Sequence, residues 1–345
     1  MRPLRISVAL AIAVAAIGVG LRPTIHAQSL TTGLFSRYLD ALRQEVGIPG
    51  LSAALVQNGS VVWASGFGHA DVASNVAARA DTPYPILNLS ESFGSVVVLQ
   101  QCVEFGSAEL TDRVERWTPF EDRSTLLQVL AHTTLSNSYQ YSATRFGTLS
   151  DAVRECVKEA YPRVLATRVL DFAAMRDSVP GREAVTTNAS LFSAQALDQY
   201  RSVVARTATP YRVSNRTATR SDYTPAPLTA STGVISTVLD LAKFDAALED
   251  GLLSRELLEQ AWQTDGGSRP TGLGWFVQPR NGERIVWHFG VAPNAYSSLV
   301  VKLPARRLTF ILLANSDGLG TGLNTAQPSV TQSLFAQLFL QQVFP

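Results

Sequence analysis

At 345 residues, 46% hydrophobic and 17% charged, the chain is long enough to bury a large core, as one big domain or two modest ones. A net charge of +1 with no basic run gives no electrostatic basis for a nucleic-acid partner. The four histidines (His26, His69, His132, His288) are scattered, without the i, i+4 spacing of a helical zinc site, and neither a metal nor another cofactor is expected.

Arg2 and Arg5 precede ISVALAIAVAAIGVG, an apolar run too short and too rich in Gly and Ala for a comfortable membrane span. With Ala27 as a small residue for cleavage, residues 1–27 read as a signal peptide, and an uncleaved membrane anchor is the alternative. The expectation is a mature chain of 28–345 without a membrane span, periplasmic or secreted. In that oxidising setting Cys102 and Cys156 form either one bridge or two buried thiols, and the sequence leaves both open.

A helix-like LFSRYLDALRQEV is followed by two apolar runs flanking Asn58-Gly59, a strong hairpin signal. A second antiparallel pair closes the chain: YSSLVVKL, the turn PARR and LTFILLANS. Residues 86 to 200 are mainly helical in pattern, with an apolar helix ending at Gly106, then STLLQVLAH and FGTLSDAVRECVKEAY. The stretch 205–230, rich in Thr, Ser, Pro and Arg, reads as a surface loop. STVLDLAKFDAALEDG follows as an amphipathic helix, capped by Ser236 or Thr237 and stopped by Gly251. Strands at both ends with helices between predict an α+β fold: one antiparallel sheet built from both chain ends, flanked by helices, with a helical insert over about 82–220.

Taken together, GIPGLSAALVQNGSVVWASGFGHAD, DTPYPI, LLQVLAHTT, ASTGVISTVLDLAKF, TGLGW and WHFG…YSSLVVKLPARRLTFILLANSDG resemble the serine β-lactamase and penicillin-binding family. The likeness is to its class C β-lactamase, D-alanyl-D-alanine carboxypeptidase and esterase branch, over residues 35–320. The resemblance implies three clusters around one cleft. A Ser-x-x-Lys opens the central helix, placing amine and hydroxyl on one face. A Tyr-x-Asn loop adds a phenol and an amide. A Lys-x-Gly or His-x-Gly strand adds a polar group and backbone donors.

The third cluster is present as His288-Phe289-Gly290. The second keeps Tyr141 but has Ala143 in place of the amide. The first is gone: with DTPYPI and Phe93 in frame, the serine position is Asn88 and the lysine position is Glu91. The helix to Gly106 is about one residue longer than the resemblance implies, yet no shift of frame restores the dyad, because Lys158, Lys243 and Lys302 are the only lysines and none completes Ser-x-x-Lys. If buried, Glu91 needs a proton or a partner, and Asn88 is the nearest by helix geometry, with Ser92, Ser95, Tyr141 and His288 as others. His132 reads as structural.

An amide is not a usable nucleophile. The leading expectation is therefore a non-acylating member that binds a small peptide-like or ester ligand, or a protein partner the sequence does not specify. Two alternatives stand beside it. One is a hydrolase of β-lactam, peptide or ester substrates by altered chemistry, using Glu91, Tyr141 and His288. The other is a structural protein of the cell envelope.

Overall fold

The computed structural model describes residues 25–118, 123–264 and 269–343, which divide into two compact units between Tyr38 and Leu39. The signal segment expected at 1–27 lies outside the described residues as far as residue 24. Helix α1 (Ile25–Val46) opens the described chain. Among the described residues no helix is long and apolar enough to cross a membrane. The sheet and the site belong to the second unit.

Seven strands form the sheet: β1 (Gly50–Gln57), β2 (Ser60–Asp71), β3 (Val76–Ala77), β4 (Phe276–Arg280), β5 (Glu283–Ala292), β6 (Tyr296–Leu303) and β7 (Leu308–Ala314). They are antiparallel throughout, in the order β3-β2-β1-β7-β6-β5-β4. The opening β1 thus pairs with the closing β7, in a register running from Leu51↔Ala314 to Gln57↔Leu308. This is the α+β architecture expected.

Asn58 (φ 52°) and Gly59 (φ 74°) are both left-handed, as a two-residue hairpin turn matched to strand twist requires. Asn281 and Gly282 repeat the device between β4 and β5, a hairpin not anticipated from the sequence. Strand β6 is buried along its whole length, so both its faces are covered and its sequence does not alternate. Its polar side chains are all bonded: Ser297 to the Ser316 carbonyl, Ser298 to the Ile86 carbonyl and Lys302 to Asp245.

The insert is carried by α2 (Ser90–Val98), α3 (Leu126–Leu130), α4 (Ala143–Gly147), α5 (Leu149–Val157), α6 (Tyr161–Leu165) and α7 (Ala194–Ala205). The stretch 205–230, expected to be a loop, instead contains a hairpin of Tyr211–Ser214 with Thr217–Arg220. Its turn residues Asn215 and Arg216 take positive φ (48° and 61°) without the glycine that ordinarily marks such a turn, so the signal was missing. The helix α8 (Val238–Glu249) is capped by Thr237, whose hydroxyl accepts from the Asp240 N–H.

All nine residues of α2 are buried, which explains its unbroken small and apolar run. Beyond Val98 the helix continues as π-helical turns over Leu99–Glu104. Such turns absorb an added residue without ending the helix, which accounts for its extra length. Cys102 on these turns and Cys156 on α5 form a disulfide with Cα atoms 5.5 Å apart, a spacing normal for a bridge. Of the two states the sequence left open, the paired one is found.

Candidate functional site

The site begins at a strained turn. Leu87 has φ 57°, a left-handed conformation costing about 1–2 kcal/mol in a residue with a side chain. It lies in a 3-10 turn, Leu87–Leu89, that leads into α2. The turn is clamped from β5 and β6. Ser298 donates to the Ile86 carbonyl at 2.7 Å, and Gly290 packs so closely that a Cβ there would lie 2.6 Å from the Ile86 oxygen and 2.7 Å from the Leu87 Cβ. Gly290 is thus a spacing requirement: only a residue without a side chain lets the strand approach residues 86–88.

Glu91, in the first turn of α2, is wholly inaccessible, yet both its oxygens are taken. The Tyr141 hydroxyl donates to Oε1 at 2.9 Å. On Oε2 converge the Nε2 atoms of His132, at 3.0 Å, and His288, at 3.2 Å. Three separate segments deliver these partners. His288 sits in β5, opposite Val300. His132 follows α3, whose start is fixed by a Thr125–Gln128 capping box, and its own φ of 50° turns the chain. Tyr141 precedes Ser142, the N-cap of α4. The imidazole of His132 stacks between Tyr141 and Phe146, with ring centroids 4.4 and 5.2 Å away.

Hydrogen-bond partners locate the protons. Ser142 donates its backbone N–H to Nδ1 of His132 at 3.2 Å, so that nitrogen carries no proton. His132 is therefore neutral, with its proton on Nε2 and donated to Glu91. Nδ1 of His288 faces the Phe289 carbonyl at 3.0 Å, which can only accept, so this nitrogen is protonated. Its Nε2 must then either donate to a carboxylate or accept from a carboxylic acid. Burial pushes the pKa of Glu91 up, but the hydrogen bonds it accepts from His132 and His288 and the positive charge beside it outweigh burial and hold the group at about 2. Glu91 is a carboxylate.

This donor set does not suit a metal. A neutral imidazole binds a cation through an unprotonated nitrogen, and the only nitrogen of His132 facing Glu91 carries its proton. Among the described residues no group of three His, Cys, Asp or Glu has metal-binding geometry. Nor does it suit base catalysis. A carboxylate held at about 2, with its oxygens engaged, is a feeble proton acceptor near neutrality. Burial, then the Glu91 charge and the bond to it, push the Tyr141 phenol far above its ordinary pKa and keep it protonated.

Of the partners anticipated for Glu91, Tyr141 and His288 reach it, while Asn88, Ser92 and Ser95 do not. Ser92 donates to the Leu89 carbonyl and Ser95 to that of Leu273. The Asn88 expectation assumed α-helical spacing, but residue 88 lies in the preceding 3-10 turn and its side chain goes elsewhere. It lines a groove of about 570 Å³ shared with Ala143, Gly147 and the segment around Thr229–Thr232. His132, read from sequence as structural, was missed as a Glu91 partner. No spacing signal links residues 41 positions apart, and only the tertiary fold does so.

The sequence from residue 35 to residue 332 matches the family model described as "Beta-lactamase". The chain belongs to the beta-lactamase family. Human "Serine beta-lactamase-like protein LACTB, mitochondrial" is 32% identical over 81 residues, which is 24% of this chain and 15% of that protein. "Putative penicillin-binding protein PbpX" of Bacillus subtilis (strain 168) is 22% identical over 269 residues, 68% of this chain and 64% of its own length. The matches thus span less than two thirds of either relative. In fold, the octameric penicillin-binding protein homologue from Pyrococcus abyssi superposes with a TM-score of 0.72 at 19% identity, covering 90% of this chain and 77% of its own. Within this beta-lactamase family fold, the positions at 88 and 91 hold an amide and a buried carboxylate.

Proposed function

We propose that this protein is an exported, non-acylating member of the beta-lactamase family that binds a ligand or partner at the groove beside Asn88. One observation carries the reading: Glu91, in the family's lysine position, is buried and saturated by Tyr141, His132 and His288. A group so placed neither activates a nucleophile nor accepts a proton from water, and the residue beside it is an amide. The same saturation counts against the alternative of hydrolysis through Glu91. The groove favours a binding role over a purely structural one in the envelope. The Cys102–Cys156 bridge supports export, since such bonds persist in oxidising compartments.

The test is intact-protein mass spectrometry after prolonged incubation with penicillins and cephalosporins, alongside an ester panel. No added mass and no turnover are expected. An adduct equal to the antibiotic, mapped to residues 84–95, would overturn the proposal.

A further inference from the structure

The helical insert holds a second cavity, which shares no lining residue with the groove beside Asn88. We infer that it binds a small phosphomonoester, its phosphate held by Arg163, Arg176, the Tyr200 hydroxyl and the N-terminus of α7.

The first observation is a buried hydroxyl without a partner. Tyr200 is only 5% exposed, packed with Val179, Val203 and Ile235 and edge-on to Phe192, yet its oxygen makes no hydrogen bond among the described residues. Tyr200 lines the cavity, and the charges acting on its hydroxyl are those of Asp171 and Arg176, which line it too, so the oxygen faces that space. Burial, then the Asp171 charge, push the phenol up to about 12, so it stays protonated and can donate. A hydroxyl so deeply placed costs free energy until an acceptor reaches it.

The second is the balance of charge. Three charged side chains line the cavity, and two are arginines. Arg176 pairs with the one acid, Asp171, at 2.9 Å, and its carbonyl accepts from the Gln199 amide at 2.8 Å, which ties this segment to α7. Arg163 makes only long contacts, 3.5 Å to the Leu191 carbonyl and 3.8 Å to Glu159, so its guanidinium keeps donors for a ligand. The N-terminus of α7 opens on the same space. Ser193 caps it by accepting from the Ala196 N–H, which leaves those of Ala194 and Gln195 for an outside acceptor.

The third is the number of donors and the room beside them. Arg163 comes from α6, Arg176 from the segment after Leu170, and the phenol and backbone N–H groups from α7. A carboxylate has two oxygens to divide among these donors, whereas a phosphate has three and more negative charge. The cavity, at about 840 Å³, is far larger than a bare ion and falls in the range of small-molecule sites. Leu191 and Phe192 in its wall offer an organic body an apolar surface.

The experiment is calorimetric titration of the full chain, at fixed ionic strength, with phenyl phosphate, inorganic phosphate, benzoate and benzyl alcohol. The side-chain NH₂ signals of ¹⁵N-labelled protein are followed in parallel. Phenyl phosphate is expected to bind about tenfold tighter than benzoate or inorganic phosphate, benzyl alcohol not at all, and the Gln195 and Gln199 signals to shift. Arg163→Gln and Arg176→Gln should each weaken phenyl phosphate by about tenfold. Tyr200→Phe should weaken it by about fivefold or more with no fall in the melting midpoint, because the free protein has no bond there to lose. No binding of either phosphate at tens of millimolar, benzoate binding as tightly as phenyl phosphate, or full affinity in Tyr200→Phe would each overturn the inference. So would shifts at Asn88 without shifts at Gln195 and Gln199, which would put the ligand in the other groove.

Discussion

Two of the carboxylates buried in this molecule beside basic groups, Glu91 and Asp245, respond in opposite directions. Glu91 is held down to about 2, whereas Asp245 on α8, also deprived of solvent, is raised above its ordinary value. Burial is the largest influence on both, and it raises both. The difference lies in company. Glu91 has Tyr141, His132 and His288 as partners, with no second acid bonded to them among the described residues. Asp245 receives Thr309 on one oxygen and Lys302 on the other, but Lys302 is shared with Glu249, at 2.7 Å, whose own charge opposes ionisation of Asp245. A nearby cation therefore does not by itself decide which way a buried acid shifts; undivided donors do.

The largest effect is expected from breaking the lysine cluster. Lys302→Met leaves Asp245 without its cation inside the protein, and about 3–5 kcal/mol of stability should be lost in urea unfolding at neutral pH. The difference between the two acids should next appear in the acid limb. The folded pKa of Glu91, about 2, lies below its ordinary 4.5, so its contribution is complete above about 4.5 and is lost as pH falls toward 2. That gap is worth about 3 kcal/mol. Asp245 acts with the reverse sign, its share being lost as pH rises through its raised pKa. Denaturant melts from pH 6 to pH 2 should therefore fall steeply, and the fall should flatten in Glu91→Gln. The smallest effect is that substitution at neutral pH. Both imidazoles face the same carboxylate oxygen, so whichever way the new amide turns one contact is lost, and the loss should be about 1–3 kcal/mol. A loss equal to that of Lys302→Met would mean that the two clusters are equally intolerant of losing a charge.

The sheet was readable because its signals are local: Asn58-Gly59, the turn before Leu308, and apolar runs near both chain ends. Asn281-Gly282 carried the same signal and was overlooked, whereas Asn215-Arg216 adopts a hairpin turn with no glycine to announce it. The site was legible only where a motif frame existed. That frame led to Glu91, Tyr141 and His288, which the fold brings into contact. It could not supply His132, whose ring arrives through a left-handed residue after a short helix. Nor could it supply the direction of Asn88, which depends on a 3-10 turn where helix geometry was assumed.

The pairing of β1 with β7 also shapes how the chain acquires its fold. Leu51 and Ala314 are partners across nearly the whole described sequence, so the sheet's centre cannot zip until the closing hairpin has been made. Until then the β1–β2 hairpin offers an unpaired apolar edge while some two hundred residues of insert remain to be enclosed as a loop. Contacts this distant slow folding and leave the nascent chain exposed to aggregation, which gives a chain of this topology a physical reason to depend on holding factors before its last strand emerges.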